Sequence, residues 1–398
     1  MAITDKKAFF DKMQKGFYAI AVGDALGAGI EAMNTKQIRE QFGDSGVTHY
    51  IGNDWVKAGD VTDDTSTTAC TILALVRTLS HDAPHSDYFQ KAFLINLHQA
   101  LLSWVKNQKF LEKDGNVIKA ETSGKYIDPL ITWPKDVEDL FTTPGIGIST
   151  IKTLDRGKMG TLEDRPETGG VTYKYSNGCG GMIRVMPIAV LCAYTNLDPY
   201  ELGIRSAAVT HGDWHAIMGT GLLCKIMSHT IKNNSSVEAA VTETLSWTKT
   251  HLKEEKDGEK AQALNNFIEA MDMALKHATP SLTPEMIDNL NDVYFKAMSK
   301  DTARFQSQSV FLDALLTTIS AERGQCDMKK SLQMAVNHSG DSDSVGTICG
   351  ALLGIKGYQS KDIEPLYRKI NMKYRNAINV VLADMSQELN IGNVRNIR

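Results

Sequence analysis

The sequence predicts an all-α fold, a compact single-domain helical bundle, on three observations. Apolar residues recur at three- and four-residue steps, five apolar runs are long enough for buried helices, and alternating strand patterns are scarce. Near the N-terminus, Phe10, Met13, Phe17 and Ile20 mark one apolar helix face. "GVTHYIG" (46–52) is the best strand candidate and is short. "CTILALVRTL" (70–79), "MIRVMPIAVLCAY" (182–194) and "IMGTGLLCKIMSHTI" (217–231) read as core helices, as do "VFLDALLTTI" (310–319) and "VGTICGALLGI" (345–355). Residues 109–178 are rich in Gly, Pro, Lys and Asp without sustained periodicity, which predicts a loop-rich insertion. Residues 232–300 are polar and charged and read as solvated helices over the core surface. With neither a linker nor an internal repeat, residues 1–398 are expected to form one domain.

Composition narrows the function. Of 398 residues, 42% are hydrophobic and 23% charged, a balance that can build a large core. The net charge of −4 and the absence of a basic run speak against nucleic acid as a partner. No stretch is apolar enough to span a bilayer, and no secretory leader is recognisable, so a cytoplasmic protein away from membranes is expected. The six cysteines lack CxxC or regular spacing, which fits a reducing interior.

Two acidic clusters stand before apolar helices: Thr62, Asp63, Asp64 and Thr65 in one, Asp341, Ser342, Asp343 and Ser344 in the other. Each taken alone can be a helix cap. If the two helix starts converge, four carboxylates share a site. Two like charges 4 Å apart repel by roughly 4 kcal/mol at an effective dielectric near 20. Several such pairs would exceed a domain's usual stability of about 5–15 kcal/mol, so a cation is expected between them. Carboxylate and hydroxyl oxygens without His or Cys suit Mg²⁺ or Mn²⁺ better than Zn²⁺. After the second cluster, Gly346, Gly350 and Gly354 lie four apart; each costs a helix about 1 kcal/mol relative to Ala, which points to close backbone packing as the compensation.

"GDALGAGIEA" (23–32), "VTDDTSTTA" (61–69), "SNGCGGMIRVMPIAV" (176–190), "THGDWHA" (210–216) and "HSGDSDSVGTICGALLG" (338–354) together resemble the ADP-ribosylglycohydrolase family, in the family's order. "HSGDSDS" and "GCGGMIRVM" look closest to its ADP-ribosylarginine hydrolases. The resemblance implies an all-helical bundle with two Mg²⁺ or Mn²⁺ ions at its centre. It places Thr62, Asp63, Asp64, Asp341, Asp343 and Ser344 at metal-ligand positions, with Ser344 where many relatives carry Thr. Glu31 matches a glutamate facing metals and substrate; an exposed helix-end glutamate is the alternative. Ser176, Asn177, Gly178, Cys179 and Gly180 fall where relatives wrap backbone amides around a diphosphate, and a helix start behind the loop would assist; a plain tight turn is the alternative. His211 matches a histidine near ribose and phosphate, or is a satisfied structural histidine.

Departures from the family are visible too. Gly145 stands where dinitrogenase reductase-activating glycohydrolases carry an aspartate, and "RFQSQSVFLDAL" (304–315) lacks the glycines of the adenosine-side segment in arginine hydrolases. Trp55 and Trp214 could stack on adenine, but packing in the core is the preferred reading for either. The implied reaction is hydrolysis of ADP-ribosylated protein arginine, with Asp63 or Asp64 orienting or deprotonating water and Glu31 the next base. Rivals are another linkage such as ADP-ribosylserine, an immunity protein that binds an ADP-ribosylating toxin without turnover, and a structural protein of the same fold. The intact acidic clusters argue against the last.

Overall fold

A computed structural model describes residues 3–81, 87–106, 109–111, 117–119, 127–128, 133–145, 147–167, 175–294, 306–357 and 360–391. Its helices are α1 (Lys6–Gly27), α2 (Thr35–Phe42), α3 (Asp63–Leu79), α4 (Asp87–Val105), α5 (Ile148–Asp155), α6 (Met186–Ala193), α7 (Pro199–Ala208) and α8 (Trp214–Lys232). They continue with α9 (Val237–Glu254), α10 (Gly258–His277), α11 (Pro284–Tyr294), α12 (Ser307–Arg323), α13 (Met328–Val336), α14 (Ser342–Lys356), α15 (Ser360–Tyr367) and α16 (Met372–Glu388). Among the described residues the one sheet is an antiparallel hairpin, Lys109–Leu111 against Val117–Lys119. The fold is all-α, as the periodicity predicts. No helix among the described residues is long and apolar enough to cross a membrane.

The centre of the bundle is the antiparallel pair α1 and α14. Gly354 lies against Lys15 and Gly16, Gly350 against Ala19, and Gly346 against Gly23. An ideal Cβ on Gly346 would come 2.5 Å from the Gly23 carbonyl oxygen, and one on Gly354 would come 2.7 Å from that of Lys15. The glycine row is therefore what lets two backbones touch, which offsets its poor helix propensity. Because the pair is antiparallel, the C-terminal end of α1 meets the N-terminal start of α14. Gly27 marks this junction: a Cβ there would fall 2.5 Å from the Asp343 amide nitrogen.

The strand candidate at 46–52 is a loop without ladder hydrogen bonds. Asn337 replaces them: its Oδ1 accepts from Val47 N at 2.6 Å and its Nδ2 donates to Val47 O at 3.0 Å. The polar insertion folds as α9, α10 and α11, and its helices carry apolar faces (Val241, Leu245, Phe267, Met271) buried in the core. Within the 109–178 insertion, residues 112–116, 120–126, 129–132, 146 and 168–174 lie outside the described residues, as do residues 295–300 of the polar insertion.

Candidate metal centre and neighbouring loop

Three chain segments converge at the α1–α14 junction. Glu31 follows α1 after a short 3₁₀ turn, Thr62 to Asp64 open α3, and Asp341 to Ser344 open α14. Thr62 Oγ1 lies 3.4 Å from Asp343 Oδ2, so the two helix starts meet, which is the condition the charge argument set. One carboxylate oxygen each from Glu31, Asp341 and Asp343 lies within 4.8 Å of the others. Asp63 and Asp64 stand outside that tight trio but share its field.

The capping alternative holds for one residue only. Thr62 is the N-cap of α3 and accepts from Asp64 N at 3.3 Å. Asp341 occupies the N-cap position of α14 yet makes no side-chain cap bond. Asp64 Oδ2 and Asp343 Oδ1 are buried without a hydrogen-bond partner among the described residues. Orphaned carboxylate oxygens are costly in a core, so they call for a bound group.

Electrostatics agree. Burial, with Asp63, Asp24 and Asp341 nearby, pushes the Asp64 carboxyl well above its usual range. Burial and the charges of Glu31 and Asp64 do the same to Asp343, and burial with Glu31 to Asp63. Glu31 is pushed up to about 8 by burial and then by Asp341 and Asp24. Each close pair in the trio costs at least about 3 kcal/mol if both members are charged. Protons or a cation must neutralise the site. An all-oxygen donor set with unpartnered carboxylates fits a hard divalent cation.

Sequence reasoning assigned no role to Asp24, yet Asp24 organises the centre. This carboxylate, fully buried in α1, accepts from Thr62 N at 3.0 Å, Thr65 N at 3.1 Å and Thr65 Oγ1. It thereby fixes the start of α3 against α1. Burial lifts it to about 6, while the bonds from Thr65 and Thr62 pull it back. The signal was a lone acid inside the apolar stretch "AIAVGDALGAG". Asp288 on α11 also carries a role that its polar surroundings concealed. Its carboxylate accepts from Ser339 N at 3.1 Å, Ser339 Oγ at 2.6 Å and Thr35 Oγ1 at 2.7 Å, which pins the loop before Asp341.

The glycine loop lies beside this centre. Cys179 Sγ is 3.3 Å from Asp341 Oδ2 and 3.3 Å from Ser344 Oγ, so this side chain faces the acidic centre. Asn177 is fixed to the start of α12: Ser307 N donates to its carbonyl at 3.0 Å, and its Nδ2 donates to Gln308 Oε1 at 3.0 Å. Gly178 N donates to Ser176 Oγ at 3.4 Å. The expected helix start behind the loop is instead a 3₁₀ turn, Cys179–Gly181, and α6 begins only at Met186. Pro187 in the first turn of α6 has no N–H to give to Ile183 O, which accepts from Thr68 Oγ1 at 3.1 Å instead, and Arg184 donates to Gly180 O at 2.8 Å.

His211 is buried and stands against the glycines of this turn. Trp214 has its ring covered by Arg165 and Lys260, at 4.3 and 4.6 Å from its centroid, which leaves it packed as expected. Trp55 does not pack in the core; it is 41% exposed on a loop. Gly145 sits at φ +100°, and a Cβ there would lie 2.8 Å from Asp63 Oδ1.

Fold and centre define an all-α protein built round a buried acidic site with a glycine loop at its side. The chain belongs to the ADP-ribosylglycohydrolase family, whose model matches residues 5–377. It is 25% identical over 350 residues to an uncharacterised protein of Archaeoglobus fulgidus, covering 87% of this chain and 88% of that one. A solved structure named "ADP-ribosylglycohydrolase-related protein complex" superposes with a TM-score of 0.58 at 20% identity, over 96% of this chain and 99% of the other. That likeness shows the shared fold. Membership of the family supports an ADP-ribosyl hydrolase.

Proposed function

We propose that the protein hydrolyses the N-glycosidic bond between ADP-ribose and protein arginine, with two Mg²⁺ or Mn²⁺ ions held by Thr62, Asp63, Asp64, Asp341, Asp343 and Ser344. The observation that carries the reading is the meeting of the α3 and α14 starts, Thr62 against Asp343, beside a glycine loop in a chain of this family. When bound, the cations fix the distal ribose hydroxyls and neutralise the carboxylates.

The chain's own groups divide by exposure. Asp64, Asp341 and Asp343 are buried and suited to hold charge in place. Asp63 and Glu31 are partly exposed and so can meet substrate and water. Asp63 orients or deprotonates the attacking water, and its position is set by Asp63 N donating to Pro144 O at 2.9 Å. Glu31, which tends to keep its proton when no cation is present, is the next acid–base group. The surrounding carboxylates favour an oxocarbenium-like transition state. They also favour the permanently charged, planar guanidinium over a neutral serine oxygen. A tenfold preference needs about 1.4 kcal/mol of differential transition-state binding, within reach of one charge-assisted hydrogen bond.

Two matched peptides, ADP-ribosylated on arginine or on serine, test this by release of ADP-ribose with Mg²⁺ present. Arginine should be cleaved at least about tenfold faster. Faster release from serine refutes the linkage. No release from either would favour a non-catalytic binder, such as one that neutralises an ADP-ribosylating toxin.

A further inference from the structure

Behind the glycine loop, His211, which the resemblance places near ribose and phosphate, ends a chain of three buried side chains whose other two members, Arg184 and Thr210, have no role in the proposed reaction. Arg184 donates through one terminal nitrogen to Thr210 Oγ1 at 2.7 Å and to Ser206 O at 3.2 Å, and through the other to Gly180 O at 2.8 Å. Thr210 Oγ1 lies 2.9 Å from His211 Nδ1. Arg184, Thr210 and His211 are all buried.

The direction of this chain follows from donor counting. A guanidinium only donates, so Thr210 Oγ1 accepts from Arg184. The Thr210 hydroxyl still has its own proton to place, and His211 Nδ1 is the acceptor in reach among the described residues. Were Nδ1 protonated instead, two donors would face the hydroxyl and its proton would be orphaned in the core. His211 Nδ1 therefore accepts, and the ring proton resides on Nε2. Burial, with the Arg184 cation nearby, lowers the imidazole to about 3, so the ring is neutral.

A second observation shows where Nε2 faces. Ideal Cβ atoms on Gly180 and Gly178 would lie 3.2 and 3.7 Å from it. Side chains at these two positions would screen the nitrogen, and glycine leaves it open to the loop.

We propose that Arg184 and Thr210 are positioning residues that hold His211 as the Nε2–H tautomer, giving the loop a fixed neutral N–H donor for the diphosphate of ADP-ribose. The ligand's identity rests on the functional reading above; the tautomer does not. Selective ¹⁵N-histidine labelling of the full-length protein tests it, with the His211 signals assigned by their loss in His211→Gln. Wild type should show a protonated Nε2 and an unprotonated Nδ1 in the absence of ligand. Thr210→Val should mix or reverse the tautomers, weaken ADP-ribose binding by about tenfold, and raise KM more than it lowers kcat. Thr210→Ser should restore all three. A protonated Nδ1 in wild type overturns the proposal, as does a Thr210→Val protein with unchanged tautomer and affinity. If Thr210→Val fails to fold, the wild-type tautomer decides alone. If ADP-ribose does not bind wild type, the functional reading falls and the donor's target with it, while the tautomer is judged by its own spectrum.

Discussion

Gly346→Ala should destabilise the protein even though it improves helix propensity. In an ordinary helix the change gains about 1 kcal/mol. Here the new Cβ would sit 2.5 Å from the Gly23 carbonyl oxygen, whereas ordinary contact begins at 3.4 Å, so α1 and α14 must separate by 0.9 Å. Overpacking of a well-filled core costs typically about 1–3 kcal/mol, and the tightest contact is with the Gly23 backbone, which cannot swing aside as a side chain can, while Val336 Cγ1 lies 2.9 Å away on the other flank. The expected net is a loss of up to about 2 kcal/mol, near the upper end because the clashing atom is backbone, or a fall in Tm of about 2 °C at roughly 1.2 °C per kcal/mol for a chain of this length. Gly258→Ala is the control: no atom lies within 4 Å of its Cβ position, so it should be neutral or slightly stabilising. The same separation moves Asp341 and Asp343 away from Thr62, whose contact with Asp343 is already 3.4 Å. Mn²⁺ affinity measured by calorimetry should drop by about tenfold or more. If denaturation shows Gly346→Ala as stable as wild type with undiminished Mn²⁺ binding, the glycine row does not position this centre.

Three further outcomes are expected. Asp63→Ala and Asp343→Ala should each cut kcat/KM by at least about 100-fold while circular dichroism stays native, because losing one carboxylate also relieves repulsion; near-native turnover at saturating metal would remove that residue from the site. Excess EDTA should abolish activity and lower Tm, since a cation at 100 times its Kd stabilises by about 2.7 kcal/mol; full activity in EDTA would rule out metal dependence. Glu31 titrates from its ordinary value of 4.5 unfolded to about 8 folded, so between these values the native state holds the extra proton and stability falls as pH rises, the loss levelling off just above 8. The metal-free protein should therefore lose Tm between about pH 7 and 8.5, above the range in which buried histidines oppose the trend, and Glu31→Gln should flatten that slope.

What the sequence disclosed and what it hid divide along one physical line. Asp63, Asp64, Asp341 and Asp343 were legible because two acidic clusters, each opening an apolar helix, become costly if the helix starts converge, although either alone could be a cap. The glycines at 346, 350 and 354 were legible because repeated propensity losses need a single packing explanation. In both cases the anomaly lies within a few residues of chain. Asp24 satisfies amides 38 and 41 residues away, and Arg184 reaches Thr210 across 26 residues. Neither partner leaves a periodic trace, so a buried acid in α1 and a buried arginine after the glycine loop read locally as ordinary polar interruptions. The same distance effect left 46–52 as no more than a strand candidate, since the backbone partner of Val47 is the side chain of Asn337, 290 residues on. It also concealed the polar insertion's contribution, because Asp288 reveals its purpose only through Ser339 and Thr35. The acids that face the candidate cations announce themselves by their cost, and those that aim them are satisfied and therefore quiet. A search for supporting residues in such a chain should begin with single charges inside its most apolar helices, where burial without a partner would be hardest to tolerate.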